Sequence, residues 1–232
     1  MKHIETMLRK IAGTVAFYIG LVAACLIGAP AFAQPDPWTC GPLRPPGQFG
    51  PYDYRYDRGQ PLGLVEGAHF GPEIEALIRG NRNHLVGPDI DYTLRAYPNH
   101  HRALIAMMRL GEKQKTNKPD GANYTVECYF ERAVLFRDND PTVRMLYAGY
   151  LSKQNRQSEA LAQLARATLL AKDNGFTHYN IGLVYFDMKV YDRALAQAHR
   201  AIELDFERSE LRDLLKNAGQ WQEPVTTTTP SQ

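Results

Sequence analysis

Residues 141–208 repeat themselves at a spacing of 34, and this repetition constrains the fold more than any other feature of the chain. Laid over 175–208 without a gap, 141–174 places Tyr147-Ala148 on Ile181-Gly182, Leu151 on Tyr185 and Glu159-Ala160-Leu161 on Arg193-Ala194-Leu195. Gln163 falls on Gln197, Arg166-Ala167 on Arg200-Ala201 and Leu170 on Leu204. A unit of this length, with small residues returning at fixed inner places, predicts two stacked antiparallel helices. Such a unit buries too little alone and needs neighbours on both sides.

An earlier unit keeps the register. Its first helix is expected over Ala103–Leu110 and its second over Tyr124–Phe136, with Arg132-Ala133 standing 34 residues before Arg166-Ala167. It runs six residues longer than its neighbours, and the surplus falls where Asn117-Lys118-Pro119-Asp120-Gly121 supplies turn chemistry. The units are therefore 101–140, 141–174 and 175–208. A closing helix over 210–217 turns Leu211, Leu214 and Leu215 inward and stops at Gly219. Residues 98–217 form the helical domain, and Asp89–Ala96 has the look of a second helix whose own unit is missing. The polar stretch 218–232, with Thr226–Thr229, is expected to be a disordered tail.

These residues resemble the tetratricopeptide repeat family, whose pattern sets Trp, Leu-Gly and Tyr in the first helix, then Ala, Phe and a terminal Pro. Residues 175–208 match with Ile181-Gly182, Tyr185, Ala194 and Ala201, and depart with His178, Ala198 and Phe206. Residues 141–174 match with Tyr147-Ala148, Leu151, Ala160, Leu164 and Ala167. The first unit has Met107-Met108 at the Leu-Gly place and keeps Phe130 and Ala133. The resemblance implies an all-α fold, a right-handed superhelix of antiparallel helix pairs (an α-solenoid), here preceded by an irregular N-terminal extension with short helices over 34–97. It also implies a concave groove, lined by the first helices, that holds a peptide or a partner's helix. Carried over, that groove presents Arg102, Ile105 and Arg109, then Met145, Gly149 and Lys153, then Phe176, Tyr179, Leu183 and Phe186. The Lys–Asn clamp with which some relatives grip a terminal carboxylate is not met, since Ile105, Met145, Gly149 and Leu183 stand at those places. A groove basic at one end and aromatic at the other suits an extended segment bearing acidic and apolar residues.

The N-terminus reads as an export signal over 1–33. Lys2, Arg9 and Lys10 form a basic start, 11–28 is an almost uncharged apolar run, and Ala31-Phe32-Ala33 offers small residues for cleavage after Ala33. Two other readings stay open: an uncleaved membrane anchor, since the run reaches spanning length, and a lipoprotein modified at Cys25. Cleavage removes three basic and one acidic side chain from totals of 27 and 25, which leaves a neutral mature chain. A nucleic-acid binder concentrates basic charge, so nucleic acid is disfavoured as a partner. The expected compartment, periplasmic or secreted, is oxidising. The mature chain has two cysteines, and an even count in such a place points to a Cys40–Cys128 disulfide, with two free buried thiols as the alternative.

The segment after the signal is rich in proline. Within it, Tyr52, Tyr54 and Tyr56 alternate with Asp53, Arg55 and Asp57, so an extended backbone would put the rings on one face. The rings are either a ligand platform or a strap laid on the helical body, and in the second case they compete for the groove. Pro72 opens a short helix expected over Glu73–Arg79, burying Ile74, Leu77 and Ile78 and ended by Gly80. His69, His84 and the pair His100-His101 read as loop and helix-start residues rather than metal ligands, and no cofactor is implied.

No nucleophile with an adjacent base, no paired catalytic carboxylates and no phosphate-cradling glycine loop is recognisable. The expected function is thus an exported, non-enzymatic scaffold binding a protein or peptide partner in the bacterial cell envelope. The alternative is an accessory protein that contacts an envelope glycan.

Overall fold

The computed structural model describes residues 40–81 and 84–224; the expected signal segment and all but the start of the expected tail lie outside them. Among the described residues there are ten helices and no strand. In chain order they are α1 Gln60–His69, α2 Pro72–Glu75, α3 Gly87–Ala96, α4 His101–Gln114, α5 Val126–Phe136, α6 Pro141–Lys153, α7 Gln157–Ala171, α8 Gly175–Asp187, α9 Tyr191–Glu203 and α10 Ser209–Asn217.

The three expected units coincide with α4–α5, α6–α7 and α8–α9, and local chemistry marks each start in the same way. His100, Asp140 and Asn174 each precede a first helix and accept a hydrogen bond from a first-turn N–H through the side chain. Satisfying one of the orphan donors at a helix start stabilises it by about 1 kcal/mol. The reversal after each first helix is just as regular. Lys115, Asn155 and Lys189 take left-handed backbone with φ of 52°, 61° and 60°. The extra residues of the first unit come after Lys115, so they lengthen the connection without disturbing the reversal.

Packing follows the small residues. α6–α7 and α8–α9 are the closely apposed pairs, α4 lies beside α6, and α6 beside α8. Ala148, Ala160, Ala167 and Ala194 are fully buried in one core that runs from Phe70 to Leu215. At Gly182 an added Cβ would stand 2.5 Å from Leu211 Cδ2 and 3.2 Å from Gln197 Cβ. The closing helix α10 therefore seats Leu211 and Leu215 as near to α8 as a missing side chain allows. The α4–α5 pair is looser, as its longer connection permits.

The N-terminal segment departs from expectation in three places. First, Gln60–His69 is a helix inside the stretch read as irregular, burying Leu62 and Val65. Second, the helix expected over Glu73–Arg79 is a single turn, Pro72–Glu75. Leu77 takes φ 57° and reverses the chain, so Ile74 and Leu77 are buried while Ile78 is 69% exposed. A left-handed leucine, not Gly80, ends this turn.

Third, the alternating tyrosines do not share a face. The N–H groups of Tyr56 and Asp57 both donate to Asp53 O, at 3.1 and 2.8 Å, which folds 53–57 into a turn. Tyr54 is buried, Tyr52 is half-buried and Tyr56 is exposed. Asp53, expected on the face opposite the rings, is buried together with Tyr54.

The Gly182 contact yields a test. Gly182→Val should destabilise by about 1–3 kcal/mol through overpacking, whereas Gly149→Val, where an added Cβ meets nothing within 4 Å, should be nearly neutral. Urea unfolding of the two variants compares them; equal effects would mean that α10 does not close tightly on α8.

Candidate functional site

The first helices α4, α6 and α8 stand side by side, and the expected groove residues are distributed along them. Ile105, Met145, Leu183 and Phe186 are half-buried, Phe176 is exposed, and the space above Gly149 is open. Met145, Leu183 and Phe186 pack at the edge of the core, so one side of each is already held. Tyr179 belongs elsewhere. It is 3% exposed, its ring packs on Phe206 with centroids 5.4 Å apart, and its hydroxyl donates to Glu210 at 2.9 Å. Burial, followed by the Glu210 carboxylate, raises its pKa. Tyr179 therefore ties α8 to the closing helix and presents no ring to a ligand.

The expected basic end is largely neutralised from within. Arg102 is paired with Glu75 and lies 3.4 Å from Glu66, so both carboxylates come from the N-terminal segment. Lys153 Nζ lies 2.6 Å from Glu112, which ties α6 to α4. Arg109 is exposed and has no ion pair among the described residues. The cationic character of the face thus rests on Arg109 alone.

The strap is anchored to the helix corners and to α5. Cys40 and Cys128 are joined by a disulfide, as the cysteine count suggested. Next to it, Arg132 Nη1 donates to the carbonyls of Cys40, Gly41 and Pro42 at 2.9, 3.1 and 2.9 Å. Arg132 is 2% exposed and its guanidinium lies 4.5 Å from the centroid of the Tyr124 ring. Burial lowers its pKa, with Tyr124, Tyr129 and Asp91 acting in the opposite direction. A buried guanidinium is costly to strand, and the strap's carbonyls are what it bonds.

Further along, Asp53 reaches two corners at once. Its carboxylate accepts from Asn99 Nδ2 at 2.8 Å, Arg137 Nε at 2.6 Å and Arg55 Nη2 at 2.8 Å. Asn99 Nδ2 also donates to Asp140 Oδ2 at 3.0 Å, and Asn99 Oδ1 accepts from Tyr54 N. Burial alone would raise the Asp53 pKa, but the hydrogen bonds from Arg55, Asn99 and Arg137 hold it far below the usual carboxylate range. Asp140, the cap of α6, is likewise depressed against its burial, chiefly by the bond from His101. These bonds run to the corners 97–100 and 137–140. These corners stand at the starts of α4 and α6, where the Tyr54 ring also stacks on His100 with centroids 4.0 Å apart, and further along the face an added Cβ at Gly149 meets nothing within 4 Å.

Two further features lie close by. A cleft of about 260 Å³, where α4 and α5 diverge, is lined by apolar Met108, Val126 and Tyr150 together with Glu112, Lys115 and Gln154. Cys40, Cys128 and Glu131 offer ligand atoms within 4.8 Å of one another, but both sulfurs are already bonded to each other. A single carboxylate remains, too few donors for a metal.

Sequence reasoning missed Asp53, Asn99, Asp140, Arg132 and Glu131. Asp140 carried a signal, since it stands 34 residues before the cap Asn174. Arg132 carried a misleading one: its repeat mates Arg166 and Arg200 are exposed and half-buried, and only the strap makes its position different. No protein-family model matches the chain and no curated protein matches it, so the reading of this face rests on its own geometry.

His100 supplies the test of the corner. It is fully buried; Nδ1 accepts from Ala103 N at 3.1 Å, so the proton sits on Nε2 and is donated to Glu66 Oε1 at 3.0 Å. Burial, then Arg102 and His101, push its pKa down to about 3. The unfolded chain takes up the proton near pH 6.5 and the folded chain does not. Stability should therefore fall as pH drops below about 6.5, by roughly 1.4 kcal/mol per pH unit from this residue. His100→Asn keeps a capping side chain and should lose that slope. Urea midpoints between about pH 7 and pH 4 measure it, and an identical slope in both proteins would contradict the assignment.

Proposed function

We propose that the chain is an exported, non-enzymatic scaffold of the tetratricopeptide type, which holds a protein or peptide partner on the face formed by α4, α6 and α8. The observation that carries this reading is the open space above Gly149 at the middle of that face, with Phe176 exposed at 57% beyond it. Caps, reversals and small residues that recur in register support a superhelical stack of helix pairs, in which the first helices line the inner side.

The ligand this face suits is narrower than the sequence suggested. With Arg102 and Lys153 paired internally, one acidic group opposite Arg109 is sufficient, and the rest of the segment meets Ile105, Met145, Leu183, Phe176 and Phe186. Unpaired apolar surface of this kind is a common mark of an interaction site. The disulfide supports export to an oxidising compartment. The strongly perturbed groups Asp53 and His100 are engaged with protein partners of their own, which favours a structural over a catalytic role.

A photocrosslinking residue at position 149 should capture one defined protein in the native envelope, and one at Leu135, exposed on α5, should not. Adding Phe176→Ala should reduce that capture about tenfold or more, the loss expected of an aromatic anchor. Equal capture at positions 149 and 135 would remove the face from the account. A captured glycan with no protein would replace the partner class.

A further inference from the structure

The Cys40–Cys128 bond has a carboxyl group against it. Glu131, one turn after Cys128 on α5, places Oε2 2.8 Å from Cys40 Sγ. A disulfide sulfur carries no hydrogen and can only accept here, so the protonated form of Glu131 is the one that can donate to it. The surroundings favour that state. Burial and the carboxylate of Glu127, one turn earlier on the same helix, push the Glu131 carboxyl up, and Arg156 from the α6–α7 connection opposes them. Arg156 is itself engaged by Glu127 and by Glu159, the latter at 2.6 and 2.7 Å. Tyr147 and Tyr150 of α6 face the same two glutamates, and the Tyr147 hydroxyl donates to Glu127 at 3.0 Å.

The two sulfurs are unequally placed. Cys40 is 5% exposed, whereas Cys128 is half-buried, in the first turn of α5, with its N–H bonded to Thr125 Oγ1 at 3.2 Å. An incoming thiolate reaches the more open sulfur, Cys128. The sulfur that must then leave is Cys40, the one Glu131 touches.

We propose that Cys40, Cys128 and Glu131 form a thiol–disulfide exchange site for a low-molecular-weight thiol, with Glu131 as the acid that protonates the departing Cys40 sulfur. The thiolate attacks Cys128 Sγ, the bond to Cys40 breaks, and its electron pair passes to Cys40 Sγ, which takes the proton of Glu131. This leaves a mixed disulfide on Cys128, a thiol at Cys40 and a carboxylate at Glu131. A second thiolate attacks the small-molecule sulfur of the mixed disulfide and releases Cys128 as a thiolate at the start of α5, where the helix end favours negative charge. In sum, two small thiolates are oxidised to one disulfide, and the protein disulfide is reduced to a Cys40 thiol and a Cys128 thiolate, with the one proton taken from Glu131. The exchange removes the covalent tie of the strap and leaves Arg132 holding its carbonyls.

The test follows opening of the disulfide in the full chain by glutathione, quenched by alkylation and read by mass spectrometry between about pH 5 and pH 8. Expressed per glutathione thiolate, the wild-type rate should rise as pH falls and Glu131 becomes protonated. Glu131→Gln should give a flat profile, about tenfold or more slower at the acid end. Peptide mapping should place the first glutathione on Cys128. A flat wild-type profile, a Glu131→Gln profile that rises at low pH as the wild type does, or the first glutathione on Cys40 would each overturn the proposal. The wild-type profile and the mapping decide the matter even where the variant fails to fold.

Discussion

Each helix pair in this molecule has an apolar face that a neighbouring element must cover, and the rest of the structure is a response to that constraint. α6–α7 and α8–α9 cover one another because alanines and Gly182 let the helices close. The far end is finished by α10, whose Leu211 and Leu215 fill the surface that a further unit would need. The near end has no such simple finish. There the first unit is splayed by its long connection, and α1, α2 and α3 pack around it to bury Phe70, Ile74, Ile90 and Leu94.

The strap solves a second problem at that near end, namely how to hold an irregular segment against the helices. Tyr54 packs in a small cluster with Leu62, Val65, Ala96 and Tyr97, and buried polar bonds and a disulfide add to it. Arg132 grips three carbonyls, Asp53 joins two helix corners through Asn99, and the disulfide fixes one end covalently. The charged groups hold the strap because a charge left without partners in the interior is costly, about 3–5 kcal/mol where one partner of a buried ion pair is lost. The outcome matters for function: the strap is held along the corners, and the α4–α6–α8 face keeps its open centre at Gly149.

Periodic features were legible in the sequence and single contacts were not. The units, the closing helix and the packing of Gly182 followed from spacing, since a repeated pattern states the same packing rule several times. The disulfide was legible because few pairings exist for two cysteines. The turn at 53–57 was not, because alternation of Tyr with charged residues describes a strand equally well, and it takes the turn's own backbone bonds to Asp53 O, with the bonds from Asn99 and Arg137 to its carboxylate, to decide against it. Leu77 was missed for a related reason: nothing in its chemistry favours a left-handed backbone, and burial at 8% against the core holds it there. At the candidate site the basic residues keep their charge, and what the sequence left out is their partners. Arg102 and Lys153 find carboxylates on other elements, which no local pattern reveals.

The central claim is that the face around Gly149 is open in the isolated protein and covered by a partner in the envelope. Thiol reactivity measures this directly. Cysteine introduced at position 149 should react readily with a maleimide in the purified chain and be protected in the intact envelope, while cysteine at position 135 stays reactive in both. Equal reactivity at position 149 in the two settings, with the control unchanged, would contradict the account.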